Sequence, residues 1–219
     1  MPRFSVILPT ANRKEWLPRA VDSVIAQTFQ DWELVIYDNS PEPYYPSSPW
    51  QDRRVWYYHG KADGIADAGQ RSLLLARGEI VVQLADDDTL PADTLEMSDS
   101  LFGRSQWLCG RTAIYLPDGT VHTHRGGDQE SVDRTVSGEY WLGGAVHFRR
   151  ETGLSVGGYD AEYDGAAAYL FFRRLIADAG PPVLTTHLMY QYLDWPGTDS
   201  RVRADNQAVQ SSRIRRLFE

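Results

Sequence analysis

The chain has 219 residues, of which 42% are hydrophobic and 24% charged, with a formal net charge of −8. This composition is that of a folded domain large enough to bury a core; it excludes a mainly disordered chain, and the acidic balance works against a polyanion partner held by bulk charge. No apolar run reaches the roughly 18 residues of a membrane span, and the lone Cys109, in the apolar stretch WLCG, excludes a disulfide framework or thiolate metal cluster and reads as a core residue.

In chain order, FSVILP (4–9) is a near-continuous apolar run ended by proline, the pattern of a strand buried on both faces in a parallel sheet. Apolar residues then recur at helical spacing from Lys14 to Thr28, and ELVIY (33–37) follows as a second strand, which completes a βαβ unit. SPEPYYPSSP (40–49) reads as a surface loop, RVWYYH (54–59) as a third strand, and Ile65 to Arg77 as a helix stopped by Gly78. EIVVQLA (79–85) is a fourth strand, followed by three aspartates, Pro91 and a helix to about Leu101. QWLCGRTAIYLPDGTVH (106–122) reads as two strands around the Asp118-Gly119 turn. Residues 127–140 show no clear period and read as a long loop; a helix is expected from about Ala166 to Ala179, and an arginine-bearing helix or tail after Arg201. The N-terminus MPRFSVILPTANRK runs straight into a strand without a signal-peptide pattern, so a cytoplasmic protein is expected.

Three strand ends carry polar groups: PTANR (9–13), YDNS (37–40) and LADDD (84–88). In a parallel sheet these ends share one edge, where α/β proteins bind ligands, so Thr10, Asn12, Asp38 and the triplet Asp86, Asp87 and Asp88 should converge on one crevice. Adjacent carboxylates repel unless a cation, water or a helix N-terminus takes up the charge. The competing reading is that Asp88 caps the next helix.

At these residues the sequence resembles the family 2 glycosyltransferases. VILPTANRKEWLPRAVDSVIAQTFQDWELVIYDNS is similar to their N-terminal block, and KADGIADAGQRSLLLARGEIVVQLADDD to the next, so the likeness covers residues 3 to 91. The resemblance implies a GT-A fold: one α/β domain with a mixed, Rossmann-like sheet flanked by helices, a nucleotide-sugar half (1–105), an acceptor half (106–200) and a C-terminal helix or tail (201–219). It implies that Pro9, Thr10, Asn12 and Arg13 hold the nucleotide, that Asp38 and Asp63 lie by the base or ribose, and that Arg71 lies near the diphosphate. Asp86 and Asp88 match the DxD-type motif, with Asp86 or Asp87 near the ribose and Asp88, with Asp86, on Mg²⁺ or Mn²⁺. Hard divalent cations favour such carboxylate and diphosphate oxygens and assist departure of the nucleoside diphosphate.

The second half departs from the family. YWLGGAVHFRRETGLSVGGYDAEYDG (140–165) resembles the acceptor-side block, but Ala167 and Ala168 stand where a Glu-Asp pair supplies the base that deprotonates the acceptor. Asp164 is the substitute candidate, with Asp160 and Glu162 in the same turn. Near the C-terminus Trp195 replaces a histidine of the family's metal and diphosphate site; an indole cannot ligate metal but can stack on a sugar or base, and His187 is the nearest replacement. His147, His122 and His124 read as structural or surface residues, since a zinc site needs three or four ligands. Arg149, Arg150, Arg173 and Arg174 are candidate contacts for a diphosphate or an acidic acceptor, against the alternative of solvated helix faces.

The expected function is hexosyl transfer from a nucleotide-diphosphate sugar to an acceptor hydroxyl, with metal assistance and inversion. Two alternatives stand beside it: a GT-A nucleotide-binding module that has lost acceptor activation, and a transferase acting on a modified nucleic-acid base. A dinucleotide-binding dehydrogenase fares poorly because PTANRK, without a G-x-G-x-x-G, follows the first strand.

Overall fold

The computed structural model describes residues 1–44, 50–198 and 204–219, with only the backbone of His122 and Thr123. The tip of the expected 40–49 loop and the link before the C-terminal helix therefore lie outside the described residues. The apolar runs form the strands β1 (Phe4–Thr10), β2 (Trp32–Asp38), β3 (Val55–His59) and β4 (Ile80–Gln83). β1 pairs in parallel with β2 and β4, and β2 with β3. Every residue of β2 is buried, as a strand covered on both faces requires. The register sets Thr10 opposite Asp38, so both strands deliver their last residues to one edge.

The second half extends the same sheet. β7 (Val146–Arg149) runs antiparallel to β4 and to β5 (Trp107–Tyr115); β6 (Val121–Arg125) and β8 (Val183–Leu193) both pair with β5. The order is β3-β2-β1-β4-β7-β5-β6, with β8 off this path on β5. The sheet is continuous across the composition shift near residue 105, because β4 and β7 are hydrogen-bonded neighbours.

Alternation along the central strands sorts their side chains onto two faces. Phe4, Val6 and Leu8 pack with Leu34 and Ile36 under α1 (Leu17–Ile25) and α3 (Thr94–Phe102), whose Val21, Val24, Leu95 and Phe102 complete that layer. Ile7, Val35 and Val81 face the other way, against Ala66 and Leu73 of α2 (Gly64–Leu75) and Phe171, Phe172 and Leu175 of α6 (Ala167–Asp178). Cys109 lies in this second layer, fully buried, and burial pushes its thiol up to about 12.

Two expectations are corrected. Residues 127–140 are not a featureless loop: α4 (Gln129–Val136) forms there because the Asp128 carboxylate accepts from the Ser131 amide at 2.9 Å and caps it. Asp88 caps no helix; α3 starts at Thr94, after Asp93 at its N-cap position, and the Asp88 side chain turns to β8 instead. After α5 (Arg150–Ser155) a 3-10 turn, Ala161–Tyr163, leads into α6, and the C-terminal helix α7 (Ala204–Arg216) buries Ile214 against Tyr163, Tyr169 and Leu170.

Candidate active site

A cavity of about 470 Å³ opens at the carboxyl ends of β1 and β4. Pro9, Asn12, Arg13 and Asn39 line it from the ends of β1 and β2, and Ala85 and the three aspartates from the end of β4. Gly64, Ala66 and Gly69 of α2, together with Tyr140, Tyr159, Tyr192 and the first turn of α6, complete the lining.

Each aspartate of the triplet has a different task. Thr10 Oγ1 donates to Asp86 Oδ2 at 2.6 Å across the β1–β4 edge. Burial pushes the Asp86 pKa up to about 7, with the neighbouring Asp87 charge adding to the rise, while the bonds from Thr10 and the Ala11 amide and the Arg13 charge oppose it. Asp87 is bracketed by Arg13, whose Nη1 is 3.5 Å from Oδ2, and by Trp195 Nε1, which donates to the same oxygen at 3.2 Å. Asp88 is 2% exposed and accepts from Tyr190 OH at 2.8 Å and from the Leu193 amide at 2.9 Å, so both oxygens tie the loop after β4 to β8. Burial and the Asp87 charge drive its pKa well up as well.

These positions test the fit of a divalent cation. Among the described residues no group of three or more His, Cys, Asp and Glu side chains is arranged as a ready-made metal cage. A site of the Mg²⁺ or Mn²⁺ kind needs only one or two carboxylates, the rest being water and substrate phosphate. Asp86 and Asp87 fit that requirement, since they are a buried, mutually repelling pair on the cavity wall. Asp88, expected as a direct ligand, also lines the cavity, with both oxygens accepting hydrogen bonds from β8. His187 is not among the residues that line the cavity; its Nε2 lies 3.0 Å from Asp93 Oδ2.

Several sequence-derived contacts act through a neighbour. Asp38 is fully buried and accepts from the Ser40 and Tyr44 amides and from Tyr57 OH. Burial opposes its ionisation, but these hydrogen bonds outweigh burial and hold its pKa below the ordinary carboxylate value. Asp38 fixes Ser40, whose hydroxyl accepts from the Asn12 amide at 2.8 Å, and is not itself among the residues that line the cavity. Asn12 has a φ of +58°, a backbone state that asparagine tolerates better than most residues, and this turn holds it on the cavity rim. Trp195 packs on Trp16 with ring centroids 4.8 Å apart and holds Asp87, so it positions the acidic loop. Arg71 is exposed on the outer face of α2, paired with Asp67 at 3.0 Å, and Asp63 is exposed at the start of that helix; neither lines the cavity.

On the acceptor side, Asp164 Oδ1 accepts from the Ala66 amide at 3.0 Å, a cap for α2 supplied from about a hundred residues away. Gly64 makes room for it: with φ +81°, a Cβ there would sit 2.7 Å from the Asp164 carboxylate. Asp160 caps the 3-10 turn and takes Arg174 Nη2 at 3.1 Å, and Glu162 pairs with Arg213, so neither reaches the cavity wall. Arg149 binds Glu79 and the Gly103 carbonyl, Arg150 the Leu74 carbonyl, and Arg173 the Tyr169 hydroxyl; none of the four candidate arginines lines the cavity. His147 is buried in β7 against Ser98, and His124 is exposed. Tyr140, Tyr159 and Tyr192 were not among the expected site residues, although Tyr140 and Tyr159 lie in the 140–165 block; the fold brings all three to the cavity wall.

Comparison with known proteins agrees with this geometry. The profile of Glycosyl transferase family 2 matches residues 5–124. The chain belongs to glycosyl transferase family 2. A PGL/p-HBAD biosynthesis glycosyltransferase of Mycobacterium bovis (strain BCG / Pasteur 1173P2) is 28% identical over 198 residues, 86% of this family 2 chain and 74% of the relative. The E. coli (strain K12) protein WcaA, named for colanic acid biosynthesis, is 29% identical over 128 residues, 53% of this chain but only 43% of its own. The fold is that of the GT-A glycosyltransferases. S. aureus TarS 1-349 in complex with UDP-GlcNAc superposes with a TM-score of 0.71 at 16% identity, over 99% of this chain and 71% of that one. Mannosyltransferase PcManGT from Pyrobaculum calidifontis, in complex with GDP-Man and Mn²⁺, does so with 0.69 at 18% identity, over 100% and 65%.

Proposed function

We propose that this family 2 chain transfers a hexosyl group from a nucleotide-diphosphate sugar to an acceptor hydroxyl, with inversion and with help from Mn²⁺ or Mg²⁺. The observation that carries the reading is the buried Asp86–Asp87 pair on the cavity wall beside Thr10 and Arg13, a cluster whose repulsion a cation and a diphosphate would offset. Solved GT-A proteins with UDP-GlcNAc, or with GDP-Man and Mn²⁺, bound support it.

The residues divide the work. Pro9, Asn12, Arg13 and Asn39 bind the nucleotide. Asp86 and Asp87 hold the cation, which when bound supplies Lewis-acid stabilisation of the departing diphosphate. Asp88, Asp38 and Trp195 hold the loops in place. Asp164, next to the cavity-lining Gly165 though not itself on the cavity wall, takes the acceptor proton as general base, in place of the pair that Ala167 and Ala168 replace.

A panel of UDP- and GDP-hexoses with Mn²⁺ tests this reading. One donor should be turned over, with nucleotide release reduced at least a hundredfold by Asp86→Asn. Nucleotide binding without turnover of any donor would favour the binding-module reading, which Ala167 and Ala168 on the cavity wall motivate.

A further inference from the structure

Strand β4 ends on a polar residue, Gln83, that turns away from the core. Side chains alternate along the strand: Ile80 and Val82 pack in the layer under α1 and α3, and Val81 packs in the layer of α2 and α6. Gln83, two residues after Val81, faces the same way as Val81 and lines the cavity. Tyr159 OH donates to Gln83 Oε1 at 2.6 Å. Tyr159 is only 6% exposed, and among the described residues its hydroxyl proton has no other acceptor, so turning the amide over would leave a buried donor unpaired. The N–H₂ end is thereby the free one. Among the described residues Gln83 Nε2 meets no acceptor, yet it is not a sealed orphan of the kind that Trp32 Nε1 and His147 Nε2 are, so its two N–H groups open on the cavity.

The hydroxyl that sets this orientation is itself held in place. The Tyr159 amide donates to Gln70 Oε1 at 2.9 Å, and its ring lies 5.0 Å from that of Phe171, centroid to centroid. Gly158, at φ +61°, lets the turn pass Gln70, where a Cβ would come within 2.1 Å of Oε1. Gln83 stands three residues before Asp86, so at most about 10 Å of extended chain separates it from the aspartate pair. A hexose joined to a diphosphate at that pair lies across this distance. A few placed polar groups on a cavity wall are what orient such a ligand.

We infer that Gln83 selects the transferred hexose: its Nε2 donates to one oxygen of the donor sugar, a hydroxyl or an acetamido carbonyl. Tyr159 is the positioning residue that keeps the amide turned this way. The inference rests on the transferase reading above and extends it from the nucleotide to the sugar.

The test takes the donor that the UDP- and GDP-hexose panel identifies, with its 2-, 3-, 4- and 6-deoxy counterparts, and measures transfer by wild type, Gln83→Met and Tyr159→Phe with Mn²⁺. In the wild type one deoxy donor should lose about tenfold or more in kcat/KM, because its absence of an oxygen leaves the Gln83 donor unpaired. Gln83→Met, similar in length but without N–H groups, should lose a similar factor with the full donor and no more than about twofold further with that deoxy donor, since the two changes remove the same contact. The other deoxy donors should fall by the same factor in both proteins, and Tyr159→Phe should follow the pattern of Gln83→Met more weakly. Both variants should keep the thermal shift given by the nucleoside diphosphate, which reports a folded nucleotide site. If no deoxy donor is discriminated by the wild type, if the losses multiply in Gln83→Met, or if that variant loses the nucleoside-diphosphate shift, the sugar contact is overturned while the transferase reading stands. Wild-type behaviour of Tyr159→Phe overturns its positioning role. Turnover of no donor by the wild type overturns the inference and the transferase reading together.

Discussion

At the scale of single residues, the aspartate triplet shows how one motif divides into unlike tasks. Asp86 is a carboxylate kept in a place that disfavours its charge, because burial and Asp87 together raise its pKa to about 7. Each unit of such a shift corresponds to roughly 1.4 kcal/mol between the protonation states. Replacing it with the neutral, near-isosteric asparagine relieves that repulsion, so Asp86→Asn should raise the melting temperature of the ligand-free protein at pH 8. The same change should abolish the stabilisation that nucleotide and Mn²⁺ give together. A lower melting temperature without ligand would show that the carboxylate is structural. Asp164 poses a related question, because capping α2 and taking a proton need different properties of the same group. Asparagine keeps an oxygen for the Ala66 amide but cannot act as a base. Asp164→Asn should therefore melt within a few degrees of wild type and keep donor hydrolysis, while glycosyl transfer falls about a hundredfold or more. Unimpaired transfer would reduce Asp164 to a cap. The motif alone could not separate these tasks: adjacency in sequence places all three aspartates at the strand end, but whether an oxygen meets the cavity or β8 depends on Tyr190 and Leu193, a hundred residues later.

At the scale of elements, what was legible followed from periodicity. β1, β2 and β4 are apolar runs because both faces are covered, and α1 and α6 show their buried stripes in the spacing of their apolar residues. α4 was not legible, since a short, mostly polar helix that buries only Ser131, Val132 and Thr135 shows no apolar run, and its clearest local signal was the Asp128–Ser131 cap. Asp38 illustrates the same limit at a strand end: the hydrogen bonds it accepts come from Ser40, Tyr44 and Tyr57, and only the fold brings these around it. Strand β7 offers a pH test. His147 is fully buried, with Nδ1 2.9 Å from Ser98 Oγ and Nε2 without a partner. Burial lowers its pKa to about 3, so the unfolded chain, at about 6.5, binds the proton first. Its contribution to stability is thus complete above pH 6.5 and declines by up to roughly 1.4 kcal/mol per unit as the pH falls towards 3. His147→Leu removes this linkage. Urea unfolding at pH 7.5 and pH 5 should show a smaller loss on acidification for the variant than for wild type; equal losses would mean that His147 is protonated in the folded state.

At the scale of the whole molecule, one sheet brings together groups from strands far apart in sequence and sets them under an unfavourable field. The chain carries a net charge of −8, and the described cavity lining holds three carboxylates against one cation, Arg13. A nucleoside diphosphate brings further negative charge to that wall, where partial burial leaves the repulsion less screened than at an open surface. A divalent cation reverses the sign of the local field, so nucleotide and metal should each bind better in the presence of the other. At a free nucleotide concentration a hundred times its dissociation constant, mass action adds about 2.7 kcal/mol to stability. For a chain of this length each kcal/mol moves the melting temperature by about 2–4 °C, so the rise should be about 5–11 °C. It should appear for one nucleoside diphosphate with Mn²⁺ or Mg²⁺ and be small with EDTA. A full shift in EDTA would mean that Arg13 and the backbone bind the diphosphate unaided and that the aspartate pair serves another purpose. No shift with any nucleotide, with or without metal, would remove the donor site from this cavity.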